Sequence, residues 1–126
     1  MLLNDLLSKL KNSKEDTSVG NSRFYFAHSE TFLPFLTRLW IARDHPPLSV
    51  DNLPDERKWR TSLIGGESSN LAVVGMRCGE REKIKFYLNE SVVNVDGCKD
   101  NLCDVGEFIS KYSKFAFSTL REVCET

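Results

Sequence analysis

A histidine and a glutamate separated by one residue, His28 and Glu30, are the side chains of this sequence best suited to chemistry. They follow a short aromatic run, 23–27, and precede a helical pattern, which predicts a strand-to-helix junction. The unpaired N–H groups and positive dipole end of a helix start favour phosphate. There His28 would donate a hydrogen bond to a phosphate oxygen. Glu30, its pKa raised by that negative charge, would protonate a leaving alkoxide.

The same triplet has a purely structural interpretation. His-X-Glu is common, and a capped helix start with a surface histidine explains it, so the spacing alone does not decide between the two. If Glu30 or Thr31 caps the helix, Pro34 falls within the first turn, where its missing N–H has no intrahelical partner. The sequence therefore predicts a helix from about Thr31 that contains Pro34.

The rest of the chain alternates between helical and strand patterns. Leucines on one stripe predict an amphipathic helix at the start, followed by a polar loop. Later segments predict a buried strand, a half-exposed strand, a short strand and a helical tail with a break near Ser113. In chain order these are helix 2–11, loop 12–21, strands 71–76 and 83–88 with a hairpin at 79–82, strand 92–95, loop 98–103 and tail 104–124.

Composition excludes several classes of protein. The 126 residues, with 40% hydrophobic and 28% charged side chains, suit one folded domain or a piece of one. The 17 basic and 18 acidic residues leave a net charge of -1, which provides no general field for nucleic acid or an anionic membrane surface. No apolar run reaches the roughly 20 residues of a membrane helix. The start, charged at Asp5, has no signal-peptide pattern.

Four cysteines in the second half favour disulfides over a metal site. Cys78, Cys98, Cys103 and Cys124 allow three complete pairings, which the sequence alone does not distinguish. Zinc is the competing use, but only Cys98 and Cys103 are close together and both histidines lie far upstream. An Asn-Glu-Ser sequon makes Asn89 a glycosylation candidate. Together these features predict an oxidising, secretory compartment.

Three longer segments agree in order and spacing with one family. Residues 24–36 contain the His-Ser-Glu triplet, residues 60–74 include Arg-Thr-Ser-Leu-Ile and Ser-Asn-Leu-Ala-Val-Val, and residues 85–93 contain Leu-Asn-Glu. They resemble the His-Ala-Glu motif, the late strand pair and the Leu-Asn-Glu segment of histidine acid phosphatases. The branch they resemble most is the multiple inositol polyphosphate phosphatases. The resemblance runs from about Leu2 to Cys124.

The resemblance implies a phosphomonoesterase that acts through a phosphohistidine. Its substrates would be inositol polyphosphates such as phytate, and 2,3-bisphosphoglycerate; no cofactor or metal is predicted. It implies that His28 contacts the phosphate and that Glu30 is the proton donor, while Ser29 replaces the family's usual Ala and keeps both side chains. The implied fold is α/β, a central sheet with flanking helices, of which residues 1–126 form the C-terminal part.

One essential part of such a site is missing from the sequence. A covalent intermediate needs a nucleophile, which the family supplies from an N-terminal Arg-His-Gly-X-Arg-X-Pro motif. The 126 residues lack it, and the other histidine, His45, is predicted in a loop before two prolines. We therefore expect the chain to be inactive alone and to need the N-terminal part of the same domain as its partner. The alternative is a secreted, disulfide-stapled stub that binds phosphorylated ligands through His28 without catalysis.

The resemblance also bears on the cysteines and the compartment. It implies a Cys98–Cys103 disulfide before the last helix and a Cys124 that reaches back to the body of the domain. Cys78 is then either a substitute partner or a buried free thiol. The implied location is the secretory pathway: the endoplasmic reticulum lumen, the secreted state or a membrane-associated state.

The remaining conspicuous residues have structural interpretations. Phe32, Phe35 and Trp40 lie on one helical stripe and are predicted to face the core. Residues 65–66, Gly-Gly, lack the lysine and spacing of a phosphate loop and predict a turn. The basic residues of 57–60 could attract a polyphosphate, but a solvated surface is the default.

Overall fold

The computed structural model describes residues 2–12 and 22–116. It has both helices and an antiparallel sheet, which confirms the predicted α/β class. The elements are α1 (Leu2–Lys11), α2 (Ser29–Arg38), α3 (Thr61–Ile64), β1 (Leu71–Cys78), β2 (Arg81–Leu88), β3 (Ser91–Val93), β4 (Cys103–Asp104) and α4 (Val105–Tyr112), followed by a 3-10 turn at Ser113–Phe115. The predicted loop beyond residue 12 and the end of the helical tail lie outside the described residues.

Strand β2 is the centre of the sheet. It pairs antiparallel with β1 along its whole length, from Leu71 opposite Leu88 to Cys78 opposite Arg81. On its other edge, β3 pairs with its second half and β4 with its first half. Among the described residues, β2 is the strand with neighbours on both edges. Its alternate residues Ile84, Phe86 and Leu88 share one face, and this face is buried.

Two tight turns fix the register of this sheet. The β1–β2 hairpin predicted from the sequence is confirmed, and Gly79 takes the positive φ of 64° that a short hairpin turn requires. The β2–β3 turn contains Asn89 and Glu90 with φ of 47° and 63°, as in a type I′ turn. Asparagine tolerates the left-handed conformation better than most residues because its short polar side chain bonds locally.

One apolar core connects the helices to the sheet. Leucines of α1, the end of α2, the inner face of β2 and one face of α4 all contribute buried side chains. The rings of Phe86, Phe108, Tyr112 and Phe115 follow one another with centroid distances of 5.5, 4.5 and 6.3 Å. Each fully buried side chain of this size contributes roughly 1.5–3 kcal/mol. Helix α4 supplies two of the buried rings, Phe108 and Tyr112, and packs against both α1 and β2.

Two sequence predictions about burial are wrong. The strand at 71–76, predicted to be buried, is β1 on the edge of the sheet, and its Val74 is 43% exposed. Trp40, predicted to face the core with Phe32 and Phe35, is 41% exposed, while both phenylalanines do pack against the core. Trp40 follows the end of α2 and has a φ of 61°, so it leaves the helical stripe on which the prediction rested.

The predicted strand before His28 is also absent. Residues 22–28 belong to no helix or strand, and in the described part of the chain no main-chain group of residues 23–27 has a hydrogen-bond partner. A strand exists only where a neighbouring strand pairs with it. Strand propensity is present at this position, but the pairing partner is not among the described residues.

Candidate functional site

The start of α2 presents the His-Ser-Glu triplet at the surface. His28 is the N-cap residue, with extended φ and ψ of -83° and 167°, and its carbonyl oxygen accepts hydrogen bonds from Thr31 and Phe32 at 3.0 Å each. Its side chain makes no capping hydrogen bond. The imidazole is exposed and takes no part in holding the helix start, so it is available to a ligand.

Glu30 lies in the first turn of α2 beside the imidazole. Its carboxylate accepts a hydrogen bond from the Ser29 hydroxyl at 3.3 Å. Its own backbone N–H, then the Ser29 hydroxyl and the nearby His28 lower the pKa of Glu30 below its ordinary value. The contacts within the chain therefore favour the carboxylate form of Glu30. The raised pKa expected from the sequence depends on the negative charge of a bound phosphate and stays a prediction.

The helix begins earlier than predicted. Because His28 is the cap, Pro34 is the sixth residue of α2 and not part of its first turn. A proline there has no N–H to donate to the Glu30 carbonyl, four residues earlier. The helix tolerates this because its first turns are exposed and water reaches the carbonyl.

The opposite end of α2 is fixed in the core. Leu36 and Leu39 are fully buried, and the chain turns sharply after Arg38. The N–H of Ile41 donates to Leu36 and the N–H of Trp40 to Thr37, at 3.1 and 3.0 Å, the hydrogen bonds of a Schellman motif. The buried end thus orients the exposed end, where His28 and Glu30 lie.

The segment before the site is anchored by an ion pair. The Arg23 guanidinium contacts the Asp5 carboxylate of α1 and also lies 3.5 Å from the Tyr25 hydroxyl. Phe24 and Phe26 are 80% and 97% exposed. The chain therefore reaches His28 with the side chains of Phe24 and Phe26 largely exposed.

The other sequence candidates lie in loops and at the end of α3. His45 is an exposed loop residue, as predicted, and Gly65 ends α3 where an added Cβ would lie 2.6 Å from a methyl carbon of Leu33. The basic residues of 57–60 lie in a loop held by Asp44, whose carboxylate accepts the N–H groups of Lys58 and Trp59 at 2.7 and 2.9 Å. Those N–H groups lower the pKa of Asp44.

A hydrogen-bond network around the Leu-Asn-Glu turn was not foreseen from the sequence. The Asn89 side-chain oxygen accepts from the Asn70 N–H at 3.0 Å, and its amide nitrogen donates to the Leu63 carbonyl at 3.2 Å. The Asn70 amide reaches Glu90 at 2.9 Å. This network connects the end of α3 to the start of β1 and the end of β2. Its only sequence signal was an asparagine inside a two-residue hairpin turn.

The structure contains the disulfide that the resemblance implied. Cys98 and Cys103 are bonded, across a loop that closes between β3 and β4. Cys78 is exposed at the end of β1, so the alternative of a buried thiol is wrong. Cys124 lies outside the described residues.

The described residues contain neither a cluster of metal-ligand side chains nor a helix of membrane-spanning character. Within residues 2–12 and 22–116, no group of three or more His, Cys, Asp or Glu side chains is arranged to hold a metal ion. None of the helices found in these residues has the length and apolar character needed to cross a membrane.

The start of α2 thus presents an exposed imidazole and an exposed carboxylate at a helix N-terminus. In comparison with known proteins, the chain is similar to one segment of the multiple inositol polyphosphate phosphatases. It is 34% identical over 120 residues, 91% of its length, to multiple inositol polyphosphate phosphatase 1 of Drosophila melanogaster. It is 32% identical over 82% of its length to the Dictyostelium discoideum protein of that name, and 34% identical over 54% to the human one.

The similarity covers a small share of these relatives. The chain spans 25% of the Drosophila protein and 16% of each of the other two. No protein-family model matches the chain, and no solved structure matches it. The similarity therefore confirms the resemblance to this family, over a segment that is a small part of each relative.

Proposed function

We propose that this chain is part of a phosphomonoesterase that hydrolyses inositol polyphosphates such as phytate, with 2,3-bisphosphoglycerate as a further substrate. The similarity to proteins named for inositol polyphosphates supports the substrate class. The observation that carries the proposal is the start of α2, where an imidazole unused in capping lies beside a carboxylate on a helix N-terminus.

In the proposed reaction, a histidine from outside this chain attacks phosphorus, and the bond from phosphorus to the inositol oxygen breaks. Glu30 transfers its proton to the leaving oxygen, so the alcohol departs neutral. The phosphoryl group stays on the attacking histidine until water displaces it, and Glu30 accepts a proton from that water. His28 donates a hydrogen bond to a phosphate oxygen in both steps.

The protonation state of Glu30 sets the pH dependence. The first step needs the acid form, whereas the contacts of the chain lower the pKa of Glu30. A bound phosphate acts in the opposite direction, because a second negative charge disfavours the carboxylate. We therefore propose an enzyme of acidic conditions, whose rate falls as rising pH removes the Glu30 proton.

The test uses a hybrid phosphatase: the Drosophila relative with its matching 120 residues replaced by this chain. Glu30→Gln should lower kcat on phytate by about 10²–10⁴-fold, the usual contribution of a general acid. In the first turnover, which reports transfer of the phosphoryl group to the enzyme alone, the loss should be much smaller on p-nitrophenyl phosphate, whose leaving group needs no proton. Glu67→Gln, at an exposed glutamate of the α3–β1 loop, is the matched control. Equal first-turnover losses on both substrates would contradict the proton-donor role.

The isolated chain separates catalysis from binding. We expect it to release no phosphate from phytate, because the proposed nucleophile is supplied from outside the chain. Measuring phytate affinity and turnover on one sample distinguishes the two functional classes. If the isolated chain turned over phytate well above its Glu30→Gln variant, the nucleophile would not come from outside the chain. If both the isolated chain and the hybrid bound phytate through His28 without turnover, a phosphate-binding protein would be favoured.

We also propose maturation in the secretory pathway, with Asn89 as a glycosylation site. The Cys98–Cys103 disulfide supports an oxidising compartment. The Asn89 amide nitrogen donates to Leu63 and is half-buried. A glycan-bearing amide nitrogen keeps one hydrogen, so that contact is compatible with modification. Expression through a secretory pathway followed by endoglycosidase should reduce the mass of the wild-type chain and leave Ser91→Ala unchanged.

A further inference from the structure

Residues 57–60 form a basic segment that the proposed reaction does not use. They read Arg-Lys-Trp-Arg, the only place in the sequence where two arginines are three residues apart. Lys58 and Arg60 are exposed, and residues 53–60 belong to no helix or strand. Exposed irregular loops are the usual sites of cleavage by proteases. Arg-X-X-Arg is also a pattern that endoproteases of the secretory pathway recognise, and they cut after its second arginine.

In the folded chain the main chain of the basic segment is not free to enter a protease. The Asp44 carboxylate accepts the N–H groups of Lys58 and Trp59 at 2.7 and 2.9 Å. The Lys58 carbonyl accepts the N–H of Arg60 at 3.1 Å. A protease binds the residues before its cut as an extended strand, through their N–H and C=O groups. These groups of the basic segment are therefore occupied until the loop opens.

The peptide bond after Arg60 is held by the start of α3. The Arg60 carbonyl accepts the N–H groups of Leu63 and Ile64 at 2.9 and 3.1 Å. Helix α3 has four residues, a length that is unstable as an isolated helix, and its first three side chains are exposed. Opening of this first turn therefore uncovers little of the core, which makes it a local event and not global unfolding.

We propose that residues 57–60 are a latent cleavage site for an endoprotease specific for Arg-X-X-Arg, and that Asp44 keeps this site closed in the folded chain. Hydrolysis adds water across the peptide bond between Arg60 and Thr61, which leaves a carboxylate on Arg60 and an amine on Thr61. The inference goes beyond the phosphatase reaction. It shares with the proposed function only the secretory compartment, in which the chain would meet such a protease.

The two polypeptides produced by this cut should stay together. Buried leucines of α1 and the end of α2 lie before the cut, and they share one core with β2 and α4, which lie after it. The Leu39 carbonyl also accepts hydrogen bonds from the Asp96 N–H and the Tyr112 hydroxyl, at 3.4 Å each. Cleavage should therefore give a two-chain form of the protein in which α2 keeps its place.

Digestion of the 126-residue chain with furin, an endoprotease that requires Arg-X-X-Arg, tests the site directly. Mass spectrometry should find one cut, after Arg60. The two fragments should elute together from a size-exclusion column until urea separates them. Below the unfolding transition the rate should hardly change with urea, because local opening exposes little surface.

Three results of this digestion would overturn the proposal. The first is no cut after Arg60 while a peptide that contains Arg-X-X-Arg is cleaved in the same tube. The second is a cleavage rate that rises with urea as steeply as global unfolding does, because the site would then be no more accessible than the core. The third is a pair of fragments that separate without urea.

Substitutions test the part played by Asp44. Asp44→Ala should speed the cut by about 10-fold or more, because two hydrogen bonds to a carboxylate no longer oppose opening. Asp44→Asn, which keeps one acceptor oxygen, should give an intermediate rate. Asp51→Ala, at an exposed aspartate of the same loop, is the matched control and should leave the rate unchanged. Equal rates for the two alanine variants would overturn the role of Asp44.

Two controls accompany these variants. Arg57→Lys in the Asp44→Ala chain keeps the charge but removes the first arginine, so it should abolish the cut. Protection of the β2 amides in hydrogen exchange shows that each variant is folded. Undiminished cleavage of the Arg57→Lys chain would mean that the protease does not read this pattern, and would overturn the proposal.

The cleavage site and the proton donor fail separately when the hybrid phosphatase is digested in the same way. No cut after Arg60 in a hybrid whose phytate turnover depends on Glu30 would reject the cleavage site and keep the proton donor. A cut after Arg60 in a hybrid unaffected by Glu30→Gln would reject the proton donor and keep the cleavage site.

Discussion

The Tyr112 hydroxyl lies 3.4 Å from the main-chain oxygen of Leu39, 73 residues earlier in the chain. It donates more closely to the main-chain oxygen of Asp96, at 3.1 Å. The ring is 1% exposed and stacks against Phe108. One side chain of α4 thus fixes the end of α2 to the segment after β3, and the direction of α2 determines where His28 and Glu30 lie.

Tyr112→Phe should therefore lower the free energy of unfolding by about 1–2 kcal/mol, since a partly buried carbonyl loses its donor. The Asp96 carbonyl loses its donor, whereas the Leu39 carbonyl still accepts a hydrogen bond from the Asp96 N–H at 3.4 Å. Urea denaturation of the isolated chain measures it. Tyr87→Phe, at a half-buried tyrosine of β2, is the matched control and should change little. Equal effects of the two substitutions would contradict this role for Tyr112.

The same tyrosine should limit stability in alkali. Burial, and secondarily the Asp96 charge, raises the pKa of Tyr112 above its ordinary value. The unfolded chain then ionises first, so stability is complete below about pH 10 and declines above it. The wild-type free energy of unfolding should fall between about pH 10 and 11.5 more steeply than that of Tyr112→Phe. Parallel curves would contradict the assignment.

The sequence predicted correctly those features that depend on residues close together in the chain, and it was wrong where a feature depends on distant parts of the chain. Alternation in β2 and the Gly79 turn are local signals, and both were predicted correctly. The prediction that Trp40 faces the core was wrong, because Trp40 takes a left-handed backbone conformation after the end of α2. The helical spacing of the apolar residues did not indicate this conformation. The apolar run of β1 shows strand propensity but not how many neighbours the strand has. The strand predicted at residues 23–27 was wrong for the same reason: a strand forms only where a neighbouring strand pairs with it, and propensity does not show whether that neighbour is present.

The acid limit of stability should depend on Asp104. It caps α4 by accepting N–H groups of Gly106 and Glu107 at 3.0 and 3.3 Å, and it pairs with Lys83 at 3.1 Å. The Lys83 ammonium first, then the Glu107 N–H, lowers the pKa of Asp104. Its stabilisation is present above the unfolded-state pKa of about 3.9 and is lost as pH falls through the lowered folded-state pKa.

Asp104→Asn should accordingly flatten the loss of stability below about pH 4, measured by urea midpoints across pH. Asp100→Asn, on an exposed turn residue, should leave the slope unchanged. If both variants keep the wild-type slope, Asp104 does not set the acid limit.

Asn89 should matter for stability independently of any glycan. Asn89→Ala removes hydrogen bonds with Asn70 and Leu63 and places alanine at a positive φ, which together should cost about 2–3 kcal/mol. Ser91→Ala is the matched control, since it also destroys the sequon but leaves the Asn89 side chain in place. Both variants are compared by urea denaturation of protein made in bacteria. Similar stabilities would show that the network contributes little.

His28 should make the chain less stable than a better N-cap residue would, while providing the proposed phosphate contact. Asparagine is a better N-cap than histidine because its side chain accepts an N–H of the first turn, so His28→Asn should stabilise the isolated chain by about 0.5–1 kcal/mol. In the hybrid phosphatase the same change should raise KM for phytate, because the proposed phosphate contact is lost. His45→Asn, in an exposed loop, should do neither. A destabilised His28→Asn chain would mean that the imidazole has a structural partner.

Ser29 should tune the proposed acid. Its hydroxyl donates to the Glu30 carboxylate and is, after the backbone N–H of Glu30 itself, the second cause of the lowered pKa of Glu30. Ser29→Ala should therefore raise the pKa of Glu30, measured by NMR titration of its side-chain carbonyl carbon. Thr31→Ala, an exposed neighbour, should not. In the hybrid phosphatase the higher pKa keeps the proton on Glu30 to higher pH, so the alkaline limb of the pH–rate profile should move in the same direction as the titration. A titration shift with an unmoved limb would mean that another group donates the proton.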